Sequence, residues 1–246
     1  ESDAMRKELL FHPQLRKGIV ASRHIRKSVK QDLGTFKTKP SPIIDETAKI
    51  ARFARYGFRS FDRQWLPIDA RLLNDPRPNI WSGLGATQAY LTAPMDLAPS
   101  NGPALTATAL VPDLHHYAGR GGRVFPLWKD AAATQANIAP TVLAELAKAF
   151  GAPVDPVDVF AYVAALLACP AYTGQFKSDL IRPGLRVPLT ANAALFGEAA
   201  ALGREVIWLH SFGDRFTDGR PAGAPRLPKD RAPTIPKDGA IPSTPD

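Results

Sequence analysis

Arg59, Asp62 and Arg63 stand among Tyr56, Phe58, Phe61 and Trp65, the tightest mixture of charged and aromatic side chains in the chain. A guanidinium can hold a phosphate or fork onto a guanine, and a carboxylate beside it can fix its orientation. The residue types therefore suit a surface that meets nucleic acid. They suit equally an amphipathic strand whose arginines are simply solvated. As one strand, residues 56–66 would carry Phe61, Arg63 and Trp65 on one face. Phe58, Ser60, Asp62 and Gln64 would share the other.

A second cluster follows. Asp113, His115, His116, Tyr117, Arg120, Arg123 and Lys129 surround the stretch Gly119-Arg120-Gly121-Gly122-Arg123. A glycine-rich loop of this kind can enter a groove, with Arg and His reaching base edges. The alternative is an ordinary polar surface loop. Adjacent His115 and His116 would point apart on a strand, which is poor geometry for sharing a metal ion. A third group is basic: Arg16, Lys17, Arg23, Arg26, Lys27 and Lys30 alternate with Leu15, Ile19, Ile25 and Val29. The apolar i, i+4 pairs let one stripe pack while the charges face outward, either to track phosphates or merely to be solvated.

Other chemistry is missing. No phosphate-binding Gly-x-x-x-x-Gly-Lys-Ser/Thr loop occurs, and no Ser/His/Asp spacing suggests a nucleophile. Val111-Pro112-Asp113 lacks the Glu-x-Lys that a nuclease would need, and Glu145-Leu146-Ala147-Lys148 has the wrong spacing for it. A single cysteine, Cys169, excludes a disulfide framework and a cysteine-built zinc site, and its apolar neighbours suggest burial. No apolar run reaches bilayer length, and the acidic start lacks a signal-peptide layout, so a cytoplasmic protein with no membrane partner is expected.

The net charge of +8 is unevenly placed. Residues 1–63 hold 15 Lys+Arg against 7 Asp+Glu, while the rest hold 16 of each. Concentrated positive charge points to an anionic partner, with nucleic acid first and an acidic neighbouring domain second.

The elements that must position these residues change character along the chain. Residues 3–34 read as helix broken at Pro13, followed by a stiff Lys39-Pro40-Ser41-Pro42 turn. From 56 to 130 the pattern is β-like with frequent breaks. Short strands are expected at Ile80–Gly83, Ala89–Thr92 and Val124–Trp128, and a half-buried one at Leu105–Val111. Asn74-Asp75-Pro76-Arg77-Pro78 reads as a turn. Helices come next: one capped by Asn137 or Thr141 and stopped at Gly151, and one capped by Asp155 with Pro156 at its first position and ended by Pro170. A short helix is expected over Ala171–Leu180, and the longest starts at Thr190 with a seam of Leu195, Ala199, Leu202, Val206 and Leu209. After Phe216 the chain turns Pro-rich and loses its apolar residues.

The stretch from Tyr56 to Asp69 resembles the "Y-R-P-F-D-x-x-W-L-Y-x-D" signature of the C-terminal specificity region of type ISP restriction-modification enzymes and of related large adenine-specific DNA methyltransferases. Ser60 stands where that family usually has Pro, and Pro67 where an aromatic is common. The likeness continues in order through Thr106–His115 ("P-D-L-H"), Val124–Trp128 ("F-P-L-Y"), Asn137-Ile138, Asp158–Tyr172, Arg186-Val187-Pro188 and Leu202–His210.

The resemblance implies target recognition in double-stranded DNA, with catalysis left to a methyltransferase domain of the same polypeptide. S-adenosylmethionine is expected for that parent enzyme, and no cofactor for this chain. The arginines Arg59, Arg63, Arg120 and Arg123, with His115 and His116, are the expected base contacts. Lys129 joins them, and Arg23, Arg26 and Lys27 are expected to meet phosphates. The expected architecture is α+β: a basic helical lead-in (1–50), a β-rich half with short strands (51–130), a small helical bundle (131–216) and a Pro-rich extended tail (217–246). The Pro-rich ending is read as that of a fragment or trimmed polypeptide. A second expectation is a protein-interaction or scaffolding domain that docks an acidic partner through its basic first quarter.

Overall fold

The computed structural model describes residues 32–37, 53–70, 73, 77–95, 99, 101–117, 121–181 and 184–218. The basic lead-in with Arg23, Arg26 and Lys27, the 39–42 and 74–76 turn residues, Arg120 and the tail after 218 lie outside the described residues.

The fold is mixed α+β, with short antiparallel strands first and helices after them. The aromatic and charged stretch is a hairpin, not the single strand that its alternation suggests. Strand β1 (Phe53–Arg59) turns at Ser60 and Phe61 into β2 (Asp62–Pro67). Folding back lets each strand pair its backbone with the other, which a lone strand could not do. Phe61 takes a left-handed φ of 65° in the turn. Ser60 holds the turn down, since its N–H and its hydroxyl both donate to the His116 carbonyl, at 2.7 and 2.9 Å.

A three-stranded antiparallel sheet follows, ordered β4–β3–β5, from β3 (Tyr90–Pro94), β4 (Thr106–Thr108) and β5 (Gly122–Pro126). All of β3 and β4 is buried. The expected half-buried strand at 105–111 is thus shorter and covered on both faces. Ala107 faces the helices, while Thr106 and Thr108 face the hairpin and its neighbouring turn. The expected strand at Ile80–Gly83 is instead a short helix, α1 (Pro78–Ser82). Pro78 supplies a helical φ at its start, and Trp81 fills the space beneath the hairpin.

The helices that follow are α2 (Pro140–Phe150), α3 (Pro156–Ala168), α4 (Pro170–Gln175) and α5 (Ala193–His210), with a 3-10 turn at Asp179–Ile181. Asp155 caps α3 as expected, accepting from the Val157 N–H at 2.8 Å. Neither Asn137 nor Thr141 caps α2; Ala139 precedes it and Pro140 sets its first turn. Asn192 rather than Thr190 caps α5, with Thr190 accepting from the Asn192 N–H. Cys169 is exposed, because it falls at the break between α3 and α4 and not inside either helix.

The seam of α5 is rotated by one residue from the expected one. Leu195, Leu202 and Leu209 are 53, 61 and 44 % exposed, and Phe196, Ala200, Gly203 and Ile207 enter the core. The cause is the crossing with α3. A Cβ on Gly203 would lie 1.7 Å from the Ala161 carbonyl oxygen, so only glycine allows the two backbones to approach this closely. Helix rotation follows the small residues, not the largest ones.

One core runs from Leu91 and Leu105 in the sheet region through Phe160 and Tyr162 of α3 to Phe196 and Ile207 of α5. A smaller one joins Leu33, Ile68, Trp81, Tyr90 and Val111, with Tyr56 and Leu66 of the hairpin packed against it.

Candidate nucleic-acid interface

The hairpin is anchored by a short parallel pairing with the chain at 111–113. The Gly57 N–H donates to the Val111 carbonyl at 3.0 Å, and the Asp113 N–H donates to the Gly57 carbonyl at 2.8 Å. Gly57 is buried because the strand runs over the His116 ring; a Cβ there would lie 3.1 Å from the His116 Cδ2. The hairpin register then slips between Gly57 and Arg59, leaving Phe58 bulged out and exposed. A bulge re-aims the next side chain, and here it turns Arg59 onto Asp113.

Asp113 gathers three donors. Its Oδ1 accepts from Arg59 Nη1 at 3.0 Å and from the His115 N–H at 2.8 Å, and its Oδ2 accepts from the Tyr56 hydroxyl at 3.1 Å. Burial, reinforced by the Asp113 carboxylate, pushes the Tyr56 phenol well above its ordinary range, so it stays a donor. Arg59 is held again from below: Nη1 donates to the Phe58 carbonyl at 2.6 Å, and Cζ lies 3.9 Å over the Phe58 ring.

Two more arginines of the hairpin lie over aromatic rings. The Arg55 guanidinium is 4.5 Å over Trp65, its cross-strand partner. The Arg63 guanidinium is 3.9 Å over Phe212, with Nη1 3.6 Å from an Asp214 oxygen. Beside it, Phe61 meets His210 edge-on at 4.9 Å, and His210 Nδ1 accepts from the Ala107 N–H at 3.1 Å. Arg63 and Phe61 thus fasten the hairpin tip to the C-terminal end of α5. Stacking on a ring spreads and orients the cation without consuming its in-plane N–H groups.

The two histidines separate as expected, but in a turn (114–117) rather than a strand. His115 is half-buried and accepts from the Gly121 N–H at Nδ1, drawing the start of β5 against the turn. His116, expected at a base edge, points inward and is 2 % exposed. Its Nδ1 lies 2.8 Å from the Thr92 hydroxyl, which continues through Thr106 to Ser60. Burial pushes its pKa down to about 4.

Arg123 is exposed on β5, an edge strand, with no side-chain hydrogen bond or ion pair among the described residues. Lys129 is exposed in the turn that follows. Sequence reasoning missed Arg55 and Arg77. Arg55 becomes visible once a hairpin is assumed, since it then faces Trp65. Arg77 donates to the Pro112 carbonyl at 2.6 Å, a tertiary contact with no sequence signal. A cleft of about 540 Å3 opens beside the Arg59–Asp113 pair, lined by Tyr56, Phe58, Trp65, Trp81 and His115 among others.

Among the described residues, no group of three His, Cys, Asp or Glu could hold a metal ion, and no helix is long and apolar enough to cross a membrane.

An α+β domain that presents a hairpin of ring-stacked arginines beside an aromatic cleft defines a surface for planar or anionic partners. Comparison with known families places it further: the Type ISP C-terminal specificity domain matches residues 1–239. The chain belongs to that family. Two solved structures share the fold. A DrdV–DNA complex superposes with a TM-score of 0.57 at 20 % identity, covering 85 % of this chain and 20 % of that one. The ATP-dependent Type ISP restriction-modification enzyme LlaBIII, bound to DNA, gives 0.56 at 13 % identity, covering 85 % of this chain and 14 % of that one. This chain therefore spans about a fifth or less of the length of those structures. No curated protein sequence matches it.

Proposed function

We propose that this chain recognises a target sequence in double-stranded DNA for a larger restriction-modification enzyme. The observation that carries the reading is the row of hairpin arginines Arg55, Arg59 and Arg63, each laid over an aromatic ring, in a Type ISP specificity domain. The solved relatives of the same fold are DNA-bound, which supports it. In this reading, residues 1–50 add phosphate contacts, 51–130 carry the reading surface, 131–216 support it and 217–246 connect onward. Arg59, Arg123 and His115 approach bases, joined by Arg120; Lys129, Arg23, Arg26 and Lys27 meet phosphates; Arg63 divides its role between DNA and the hairpin tether.

Catalysis then belongs to a methyltransferase domain of the same polypeptide, using S-adenosylmethionine on a flipped adenine. The exposed leucines of α5 supply an apolar surface on which such a domain can dock. A cytoplasmic location fits this role.

Fluorescence anisotropy with random duplex DNA at several salt concentrations tests the reading. Binding should weaken with a log–log slope of about −0.9 per phosphate contact, and an Arg55→Gln/Arg59→Gln variant should bind more weakly and with a shallower slope. Absence of binding at low salt, or binding that neither salt nor the variant alters, would refute it.

A further inference from the structure

We infer that Arg59 is a specificity-determining residue that reads one guanine, and that Asp113 is the positioning residue that aims it. This deepens the DNA-recognition reading and rests on it. Arg59 Nη1 carries two hydrogens, and both are used inside the protein, one on the Phe58 carbonyl and one on Asp113 Oδ1. The guanidinium lies over the Phe58 ring, with Cζ 3.9 Å from its centroid. What remains is the Nε–Nη2 edge, which makes no hydrogen bond among the described residues, on a side chain 38 % exposed. Two parallel N–H groups on one rigid edge match two acceptors on one partner, and O6 and N7 of guanine present that pair in the major groove.

The aspartate is itself over-determined. Tyr56 and the His115 N–H hold it in place. The parallel pairing through Gly57 fixes its backbone relative to the strand that bears Arg59. Such an arrangement orders the guanidinium before DNA arrives, so that little side-chain freedom is lost on contact. A lysine at the position keeps the charge but cannot fork. A phosphate also offers two acceptors, so the experiment must separate base from backbone.

Selection of this chain on randomised duplexes, followed by sequencing of the bound pool, does so. The wild-type pool should contain one fixed G·C pair that becomes degenerate in both Arg59→Lys and Arg59→Ala. Discrimination at that pair alone should fall about five- to 150-fold, the range of a lost bidentate contact. Asp113→Asn should relax the same position, and circular dichroism of each variant checks the fold. An Arg59→Lys pool identical to the wild-type pool overturns the assignment. So does a uniform loss of affinity on all sequences with the salt slope reduced by about one, which marks a phosphate contact. Salt-dependent binding without any enriched sequence overturns it while leaving general DNA binding standing. No DNA binding at all brings down the underlying reading as well.

Discussion

Acidification should destabilise the domain through one buried ring. His116 is 2 % exposed and hydrogen-bonded through Nδ1 to Thr92. Burial dominates in lowering its pKa to about 4, the charges of Arg59 and His210 act the same way, and Asp113 opposes them. The fold therefore requires the neutral imidazole. Above pH 6.5 both folded and unfolded chains carry it neutral, and nothing is lost. As pH falls from 6.5 towards 4, the unfolded chain takes up a proton that the folded one refuses. Stability should drop across that window by about 3 kcal/mol and then level off as the folded ring titrates. His210, also lowered by burial, pulls in the same direction. Protonation of His116 would further loosen the turn that carries Asp113, and with it the hold on Arg59. Urea unfolding between pH 7.5 and 4.5, compared with a His116→Gln variant, measures the effect. The variant removes the titrating group, so its curve should be flatter by most of that amount. Parallel pH profiles for the two proteins would refute the reasoning.

Two further outcomes test the helices. Gly203→Ala should lower stability by about 2 kcal/mol and the thermal midpoint by about 4–8 °C, because overpacking against the Ala161 carbonyl exceeds the gain in helix propensity; an unchanged midpoint on differential scanning calorimetry would mean the crossing is looser than described. Ile207→Ala should cost about 2–5 kcal/mol on chemical denaturation and Leu202→Ala less than about 0.5 kcal/mol; equal costs would restore the seam that hydrophobicity alone suggests.

Much of the fold is legible where a local rule decides it. Asp155 followed by Pro156 marks a helix start because cap and φ preference act within one turn. The motif order from Tyr56 to His210 is likewise readable, and with it the family. What escaped depends on partners distant in sequence. The break at Ser60 is set by the His116 carbonyl, 56 residues away. The register of α5 is set by a carbonyl of α3. His116 reads as a polar surface residue until the Thr92 hydroxyl is brought beside it. Of the site, Arg59 and Arg63 were visible by composition and Arg55 and Arg77 were not, and which arginine is aimed, and by what, required the bulge after Gly57 and the pairing with 111–113.

The fastening of the hairpin tip to α5 sets how specificity can be transplanted. Phe61 rests on His210, Arg63 on Phe212 and Asp214, and the β-rich and helical stretches meet again where the Ala104 N–H donates to the Leu167 carbonyl and Arg215 Nε to the Gln88 carbonyl. A chimera that exchanged only residues 51–130 with a relative would put a foreign helix end under the hairpin and leave its arginines misaligned. The stretch that can be exchanged without cutting these contacts runs from the start of the hairpin past Arg215, so the hairpin is inherited as one block together with the helices that hold its tip.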